Sequence, residues 1–69
     1  MVNIRIKPGK RRGELYRIIL NDRYMMIKWK SGKTYFVDIK TGDNVPPEFR
    51  QILLKADREM INNGKFLSP

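Results

Sequence analysis

Hydrophobic and polar residues alternate along much of the first forty positions, and this period of two is typical of half-buried β-strands. The alternating stretches are rich in β-branched and aromatic residues. Clusters of Gly, Pro, Asn, Asp or Ser, which favour turns, separate them. Four strands are therefore predicted, at about residues 2–7, 14–20, 23–30 and 33–40.

The pattern changes to a helical period towards the C-terminus. Because a residue that precedes a proline avoids the α region, Pro47 is predicted to begin a helix that runs to about Asn63 and stops at Gly64. This helix should cover the open edge or mouth of the sheet with one apolar stripe. The stripe is made of Phe49, Ile52, Leu53, Ala56 and Met60. The sequence thus predicts that residues 1–69 form one small basic domain. Its fold is predicted to be mostly β with one C-terminal α-helix (α+β), built as a small antiparallel sheet or an SH3-like barrel.

The third and fourth strands are predicted to pair as a β-hairpin. A three-residue loop over residues 30–32 places Gly32 at the left-handed third position that such loops favour. This loop pairs Ile27 with Tyr35, whereas a two-residue loop would place a lysine opposite that ring. A slip of one residue would turn each side chain to the other face of the sheet, so the sorting of side chains favours the longer loop.

The second and third strands are joined by Asn21 and Asp22, a tight-turn sequence. A two-residue turn there places Ile18 opposite Met25, and this register divides the sheet into two faces. The predicted core face contains Tyr16, Ile18, Leu20, Met25, Ile27, Tyr35, Val37 and Ile39. The predicted outer face contains Leu15, Arg17, Ile19, Tyr24, Met26, Lys28, Thr34, Phe36, Asp38 and Lys40.

The charge is concentrated in the predicted sheet. The chain has 15 Lys and Arg against 7 Asp and Glu, a net charge of +8, and residues 1–40 alone hold 11 basic and 3 acidic residues. Residues 41–69 hold four of each sign. A basic surface on one element indicates a polyanion-binding site. The competing interpretation is that this charge only keeps a small domain soluble.

The predicted outer face is too apolar to be simply solvated, because Ile19, Tyr24, Met26 and Phe36 would form one patch on it. Three interpretations are open: the chain covers this face itself, the face docks a protein, or the face lies against nucleic acid. In the third case the rings and the thioether would touch sugars and bases while cations reach phosphates.

Three consecutive cations in a Gly-bounded loop, residues 10–12, would extend such a footprint, since Arg can grip an oxygen pair with its planar fork. A solvated turn is the alternative for this loop. The predicted nucleic-acid-binding residues are Lys10, Arg11, Arg12, Arg17, Tyr24, Met26, Lys28, Phe36 and Lys40.

Catalytic and cofactor-binding patterns are missing from the sequence. There is no Cys and no His, which excludes thiol chemistry and the usual zinc sites. Residues 32–34 have the ending of a phosphate-binding loop but lack its first glycine and its following helix. We therefore expect no enzymatic activity, no cofactor and no metal. With no long apolar run and no signal-peptide pattern, a cytoplasmic location is expected, with nucleoid association if the protein binds DNA.

The order of elements and two local stretches resemble the seven-kilodalton chromatin proteins of thermophilic archaea. Residues 43–53, DNVPPEFRQIL, are similar to that family's proline-led start of its helix, and residues 3–7, NIRIK, to its basic first strand. The resemblance implies a helix-capped SH3-like barrel that binds the DNA minor groove through a three-stranded sheet and wedges apolar side chains between base steps. It would place Tyr24 and Met26 on the DNA-facing sheet. The chain departs from the family in its preference for Arg, its longer helix and a second hairpin without a paired-glycine tip.

A weaker resemblance is to the arm-binding domains of tyrosine recombinases, which also place a three-stranded sheet on DNA beside one helix. The sequence thus predicts a non-enzymatic nucleic-acid-binding module, with duplex DNA of low sequence specificity favoured over RNA. The alternative is a small protein-binding inhibitor or accessory factor, of the phage type, that docks the same sheet face on an acidic partner surface. No membrane partner is expected.

Overall fold

The computed structural model describes residues 2–63, which form four strands followed by one helix. The elements are β1 (Ile4–Pro8), β2 (Glu14–Leu20), β3 (Tyr24–Trp29), β4 (Thr34–Asp38) and α1 (Pro47–Asn63). The strands form one antiparallel sheet in the order β1-β2-β3-β4, with β1 and β4 at its edges. The predicted α+β class and the β-β-β-β-α order are confirmed, with an open sheet as the form. The predicted helix stop at Gly64 lies outside the described residues.

Helix α1 packs across one face of the sheet. It begins at Pro47 as predicted, and the carbonyl of Pro46 accepts hydrogen bonds from the backbone N–H groups of Phe49 and Arg50. The predicted apolar stripe is confirmed as the buried side of the helix: Leu53, Ala56 and Met60 are buried, and Phe49 and Ile52 are half-buried against the core. The stripe lies over β2 and β3. The expectation that it covers an open edge or mouth was therefore wrong.

The β3–β4 hairpin has the predicted register. Ile27 pairs with Tyr35 and Met26 pairs with Phe36. Gly32 has a φ of 93°, the left-handed conformation that the three-residue loop requires.

The β2–β3 hairpin differs from the prediction by one residue. Asn21 and Asp22 have φ values of 52° and 56°, and the N–H of Arg23 donates to the carbonyl of Leu20, so the expected tight turn does form. Arg23 is then an extra residue. Its carbonyl accepts a hydrogen bond from Ile39, beyond β4, and Leu20 pairs with Tyr24 instead.

This one-residue shift exchanges the faces of β3 and β4 relative to β2, as the period of two dictates. Ile18 lies opposite Met26 rather than Met25. The core cluster consists of Tyr16, Ile18, Leu20, Tyr24, Met26, Val45, Leu53, Ala56 and Met60. Four residues predicted for the core are therefore on the other face of the sheet: Met25, Ile27, Tyr35 and Val37. Ile39, also predicted for the core, lies beyond β4 and is exposed.

A buried polar cluster joins α1 to the sheet. Asp57, which is 5% exposed, accepts a hydrogen bond from the hydroxyl of Tyr16 and one from Lys28 Nζ at 3.3 Å. Burial, together with the hydrogen bond to Asp57 and its negative charge, raises the pKa of Tyr16 well above its usual value. The cluster fixes the position of the helix over β2 and β3 because each polar group has its partner on the facing element.

Candidate nucleic-acid interface

Three of the predicted contact residues lie beneath the helix. Met26 is fully buried, Tyr24 is 8% exposed, and Phe36 is half-buried against the core. The ring of Tyr24 stacks on Phe49 with centroids 4.4 Å apart, and the guanidinium of Arg50 lies 5.5 Å from the centroid of Phe36. The prediction that these three side chains lie on the outer face was wrong, since the shift in the β2–β3 register puts them on the core side.

Two of the residues predicted to contact phosphates form ion pairs with carboxylates of the protein itself. Lys28 is bound to Asp57, and its side chain is only 16% exposed. Arg17 is bound to Glu14, with its Nε 2.7 Å from Oε1 and its second nitrogen 3.0 Å from Oε2. Neither cation is free for a phosphate, so both residues serve the fold rather than the predicted contact.

The remaining predicted cations, Lys10, Arg11, Arg12 and Lys40, are exposed. The first three occupy the β1–β2 loop, which Glu14 holds in place. The Glu14 carboxylate accepts hydrogen bonds from the backbone N–H groups of Lys10 and Arg11 at 3.3 and 3.2 Å, in addition to those from Arg17. The bond from Arg17, opposed by burial and assisted by the loop N–H groups, lowers the pKa of Glu14 to about 2.

The side of the sheet away from α1 is uncovered within residues 2–63, and we call it the open face. Its side chains combine cations on β1 and β2 with aliphatic and aromatic groups on β2, β3 and β4. It comprises Arg5, Lys7, Arg17, Ile19, Met25, Ile27, Trp29, Tyr35 and Val37. Ile27 is buried yet lies outside the core cluster, whereas Tyr35 is 53% exposed. The open face therefore has a small apolar cluster of its own.

The charge is polarised along the strands. The β1–β2 and β3–β4 loops, residues 9–13 and 30–33, lie at one end of the antiparallel sheet, which we call the two-loop end. The N–H of Lys30 donates to the carbonyl of Gly13 at 2.8 Å and ties these loops together. The cations at this end are Lys7, Lys10, Arg11, Arg12, Lys30 and Lys33. None of the ion pairs among residues 2–63 includes any of them.

The opposite end of the sheet is close to neutral. There Arg5 pairs with Asp22 at 3.6 Å, and Arg23 pairs with Asp38 at 3.1 Å. Asp38 is buried, which opposes its ionisation, but the N–H groups of Lys40 and Thr41 and the Arg23 side chain outweigh this and lower its pKa. A polyanion would therefore be attracted to the two-loop end.

Two grooves meet at Trp29 and Tyr35 on the open face. The inner groove, of about 450 Å³, runs over the aliphatic residues of β3 and β4 and is lined by Arg11, Met25, Ile27, Trp29, Tyr35 and Val37. The outer groove, of about 490 Å³, opens towards the loops and is lined by Gly13, Trp29, Lys30, Ser31, Lys33, Thr34 and Tyr35. Sequence reasoning missed Trp29, Tyr35, Lys30 and Lys33 as candidate site residues. The signal available for them was two rings beside two lysines around one hairpin loop.

Comparison of the chain with protein-family models, with curated proteins and with solved structures gave no match. In residues 2–63 no helix is long and apolar enough to cross a membrane. Over the same residues no three carboxylates are grouped so that they could hold a metal ion.

Proposed function

We propose that this protein is a non-enzymatic nucleic-acid-binding module that docks on duplex DNA, with little sequence specificity, through the open face of its sheet. The observation that carries the proposal is the pairing of an uncovered apolar and aromatic face with six cations at one end, none of them in an ion pair within residues 2–63. The surface predicted from the sequence is replaced by the opposite face of the same sheet.

The cations of the two-loop end would neutralise phosphates. Lys10, Arg11 and Arg12 are exposed on a loop that Glu14 orders, so less conformational freedom is lost on binding than for a free loop. Lys30 and Lys33 extend the same positive surface across the β3–β4 loop. Lys40, at the other end, is expected to add a weaker contact.

The aliphatic row of the open face would lie against sugars and base edges. Met25, Ile27 and Val37 form this row, which borders the inner groove. Met25 and Val37 are half-buried and would make the contact, whereas Ile27 is buried. No Asn or Gln stands on the open face among the described strands, and those side chains are the usual readers of adenine in the major groove. Weak sequence preference is therefore expected. The resemblance to the archaeal chromatin proteins supports the same mode, with the half-buried Met25 and Val37 in place of Tyr24 and Met26.

The test is a salt series with a labelled blunt duplex. Neutralisation of six phosphates predicts that log K falls with log salt at a slope of about −5. Changing Lys10, Arg11 and Arg12 to Ala should make the slope shallower by about 3. The matched control changes Lys55 and Arg58, which are exposed cations on α1, and should leave the slope as it is. Binding that ignores salt, or no binding at low salt, would contradict the proposal. An RNA duplex tested in parallel is expected to bind more weakly.

The aliphatic row would also suit a protein partner, and this observation supports a second candidate function. An inhibitor or accessory factor could dock the same face on an acidic protein surface. A complex recovered from cells that survives nuclease treatment, together with the absence of DNA binding at low salt, would favour this candidate.

A further inference from the structure

The lining and the volume of the outer groove suit a nucleobase better than a phosphate. Its walls include the rings of Trp29 and Tyr35, and its rim carries Lys30 and Lys33. Its volume of about 490 Å³ falls within the range of about 300–1,000 Å³ typical of small-molecule pockets. Aromatic walls with cations at the rim are the combination that binds unstacked nucleotides, because the ring stacks on the base while the cation holds its phosphate.

The two rings are held in position by the sheet. Tyr35 pairs with Ile27, so Trp29 is its diagonal neighbour on the adjacent strand and on the same face. The N–H of Trp29 donates to the carbonyl of Lys33 at 3.0 Å, which fixes the backbone of the loop beside the ring. The groove is thus formed before any ligand binds.

Gly13, on the neighbouring loop, lies beside the Trp29 ring. A Cβ added at position 13 would lie 3.6 Å from Trp29 Cε3 and 3.8 Å from Cζ3, which is ordinary van der Waals contact, so glycine leaves space for about a methyl group beside the indole. Gly13 also has a φ of 92°, a conformation that other residues rarely adopt. Gly13 and Trp29 both line the outer groove, so the absence of a side chain at position 13 leaves space beside the indole that a base could enter.

A fully paired duplex cannot use this groove, because its bases are stacked inside the helix and only an unpaired or displaced base can lie flat on a side-chain ring. Resting on the proposed function, we infer that the outer groove binds an unpaired base. DNA with unpaired bases beside a duplex therefore binds more tightly than fully paired DNA. The duplex part lies on the aliphatic row, and the single-stranded part enters the outer groove.

Trp29 is the single tryptophan of the chain, so its fluorescence reports the groove without any substitution. The experiment titrates the intact protein with four DNA ligands: a blunt duplex, the same duplex with a thymidine extension at a 5′ end, the same duplex with the extension at a 3′ end, and the extension alone. An extended duplex should bind about 5- to 150-fold more tightly than the blunt one, which is the gain that one stacked base provides. Quenching of Trp29 should be strong with the extended duplex and slight with the blunt one.

Substitutions test whether the higher affinity for the extended duplex comes from the two rings. Tyr35→Ala removes an exposed ring and should abolish most of the preference for the extended duplex, while Tyr35→Phe should retain it. Trp29→Phe should retain part of the preference. If Tyr35→Ala does not fold, the fluorescence titration of the unchanged protein decides the question alone.

The outcomes separate the two proposals. Equal affinity and equal quenching for blunt and extended duplexes would overturn this inference and leave duplex binding in place. Quenching by the thymidine strand alone, with no binding of the blunt duplex, would support the groove as a base site and contradict the duplex part of the proposed function. No binding of any DNA would overturn both.

Discussion

Glu14 is the residue on which the order of the basic β1–β2 loop depends. Its carboxylate accepts hydrogen bonds from Arg17 and from two loop N–H groups, and its pKa falls to about 2. A carboxyl whose pKa is lower in the folded state stabilises the fold at pH values above its unfolded pKa, here near 4.5, and this contribution is lost as the pH falls towards about 2. Loss of the loop and loss of stability should therefore occur together in acid.

This residue gives the first prediction. In urea denaturation followed at several pH values, the free energy of unfolding should decrease as the pH falls from about 4.5 to about 2. Glu14→Gln cannot ionise, so its dependence on pH should be shallower over that range. Some dependence remains, since the pKa of Asp38 is also lowered. If the free energy of unfolding decreased equally with pH in Glu14→Gln and in the unchanged protein, the role assigned to the Glu14 carboxylate would be contradicted.

Asp57 joins Tyr16, which lies in the core as predicted, to Lys28, which was predicted for the outer face. Because the carboxylate is buried between Tyr16 and Lys28, its removal leaves a buried cation without a partner. Asp57→Ala should lower the free energy of unfolding by about 3–5 kcal/mol, measured by urea denaturation at neutral pH.

A matched control replaces the whole cluster. The triple variant Tyr16→Phe, Lys28→Met, Asp57→Leu removes all three polar partners together and should be nearly as stable as the unchanged protein. It should also bind DNA with an unchanged salt slope, since Lys28 makes no phosphate contact in this account. A large loss of stability in the triple variant, or no loss in Asp57→Ala, would show that the cluster does not act as described.

Two hairpins show what the sequence could and could not predict about the elements. The β3–β4 register was predictable, since Gly32 stands where a three-residue loop needs a left-handed residue and every alternative mixed charge with apolar side chains. The β2–β3 register was not. The turn at Asn21 and Asp22 forms as expected, but Arg23 turns its carbonyl to Ile39 and adds one residue to the loop.

The hydrophobic pattern could not reveal this extra residue. β3 and β4 carry apolar side chains on both faces, so the set with Tyr24 and Met26 and the set with Met25 and Ile27 are equally plausible as the core. Contacts distant in sequence decide between them: Tyr24 stacks on Phe49, and Arg23 pairs with Asp38. The exposed cations of the β1–β2 loop were found from the sequence, whereas Trp29 and Tyr35 were missed because the wrong β2–β3 register put the candidate site on the opposite face.

The extra residue can be tested directly. Deleting Arg23 would convert the loop to two residues and turn β3 over relative to β2, so the variant should fail to fold, as judged by circular dichroism and by heteronuclear NMR spectra. Arg23→Ala keeps the loop length and loses only the ion pair with Asp38 and the contact with Tyr24, which lies 5.2 Å away. It should fold with reduced stability. A folded deletion variant with native-like spectra would contradict the register.

At the scale of the whole molecule, one face of the sheet forms the core and the other face is open to a partner. The helix covers β2 and β3 on one side, where these two strands supply most of the core, and this leaves the other side free to carry Trp29, Tyr35 and the aliphatic row. The charge is divided along the strands in the same way, with paired charges at one end and unpaired cations at the two-loop end. Affinity and orientation on DNA should thus come from the same end of the molecule.

The most direct test of this account is a map of the DNA-contacting surface. Backbone amide shifts of the isotope-labelled protein would be followed by NMR while a short blunt duplex is added at low salt. We predict that the largest changes fall on residues 10–12, on the loop residues 30–33 and on the strand residues of the open face, while α1 changes little. Largest changes on the exposed side of α1, or no changes at all, would contradict it.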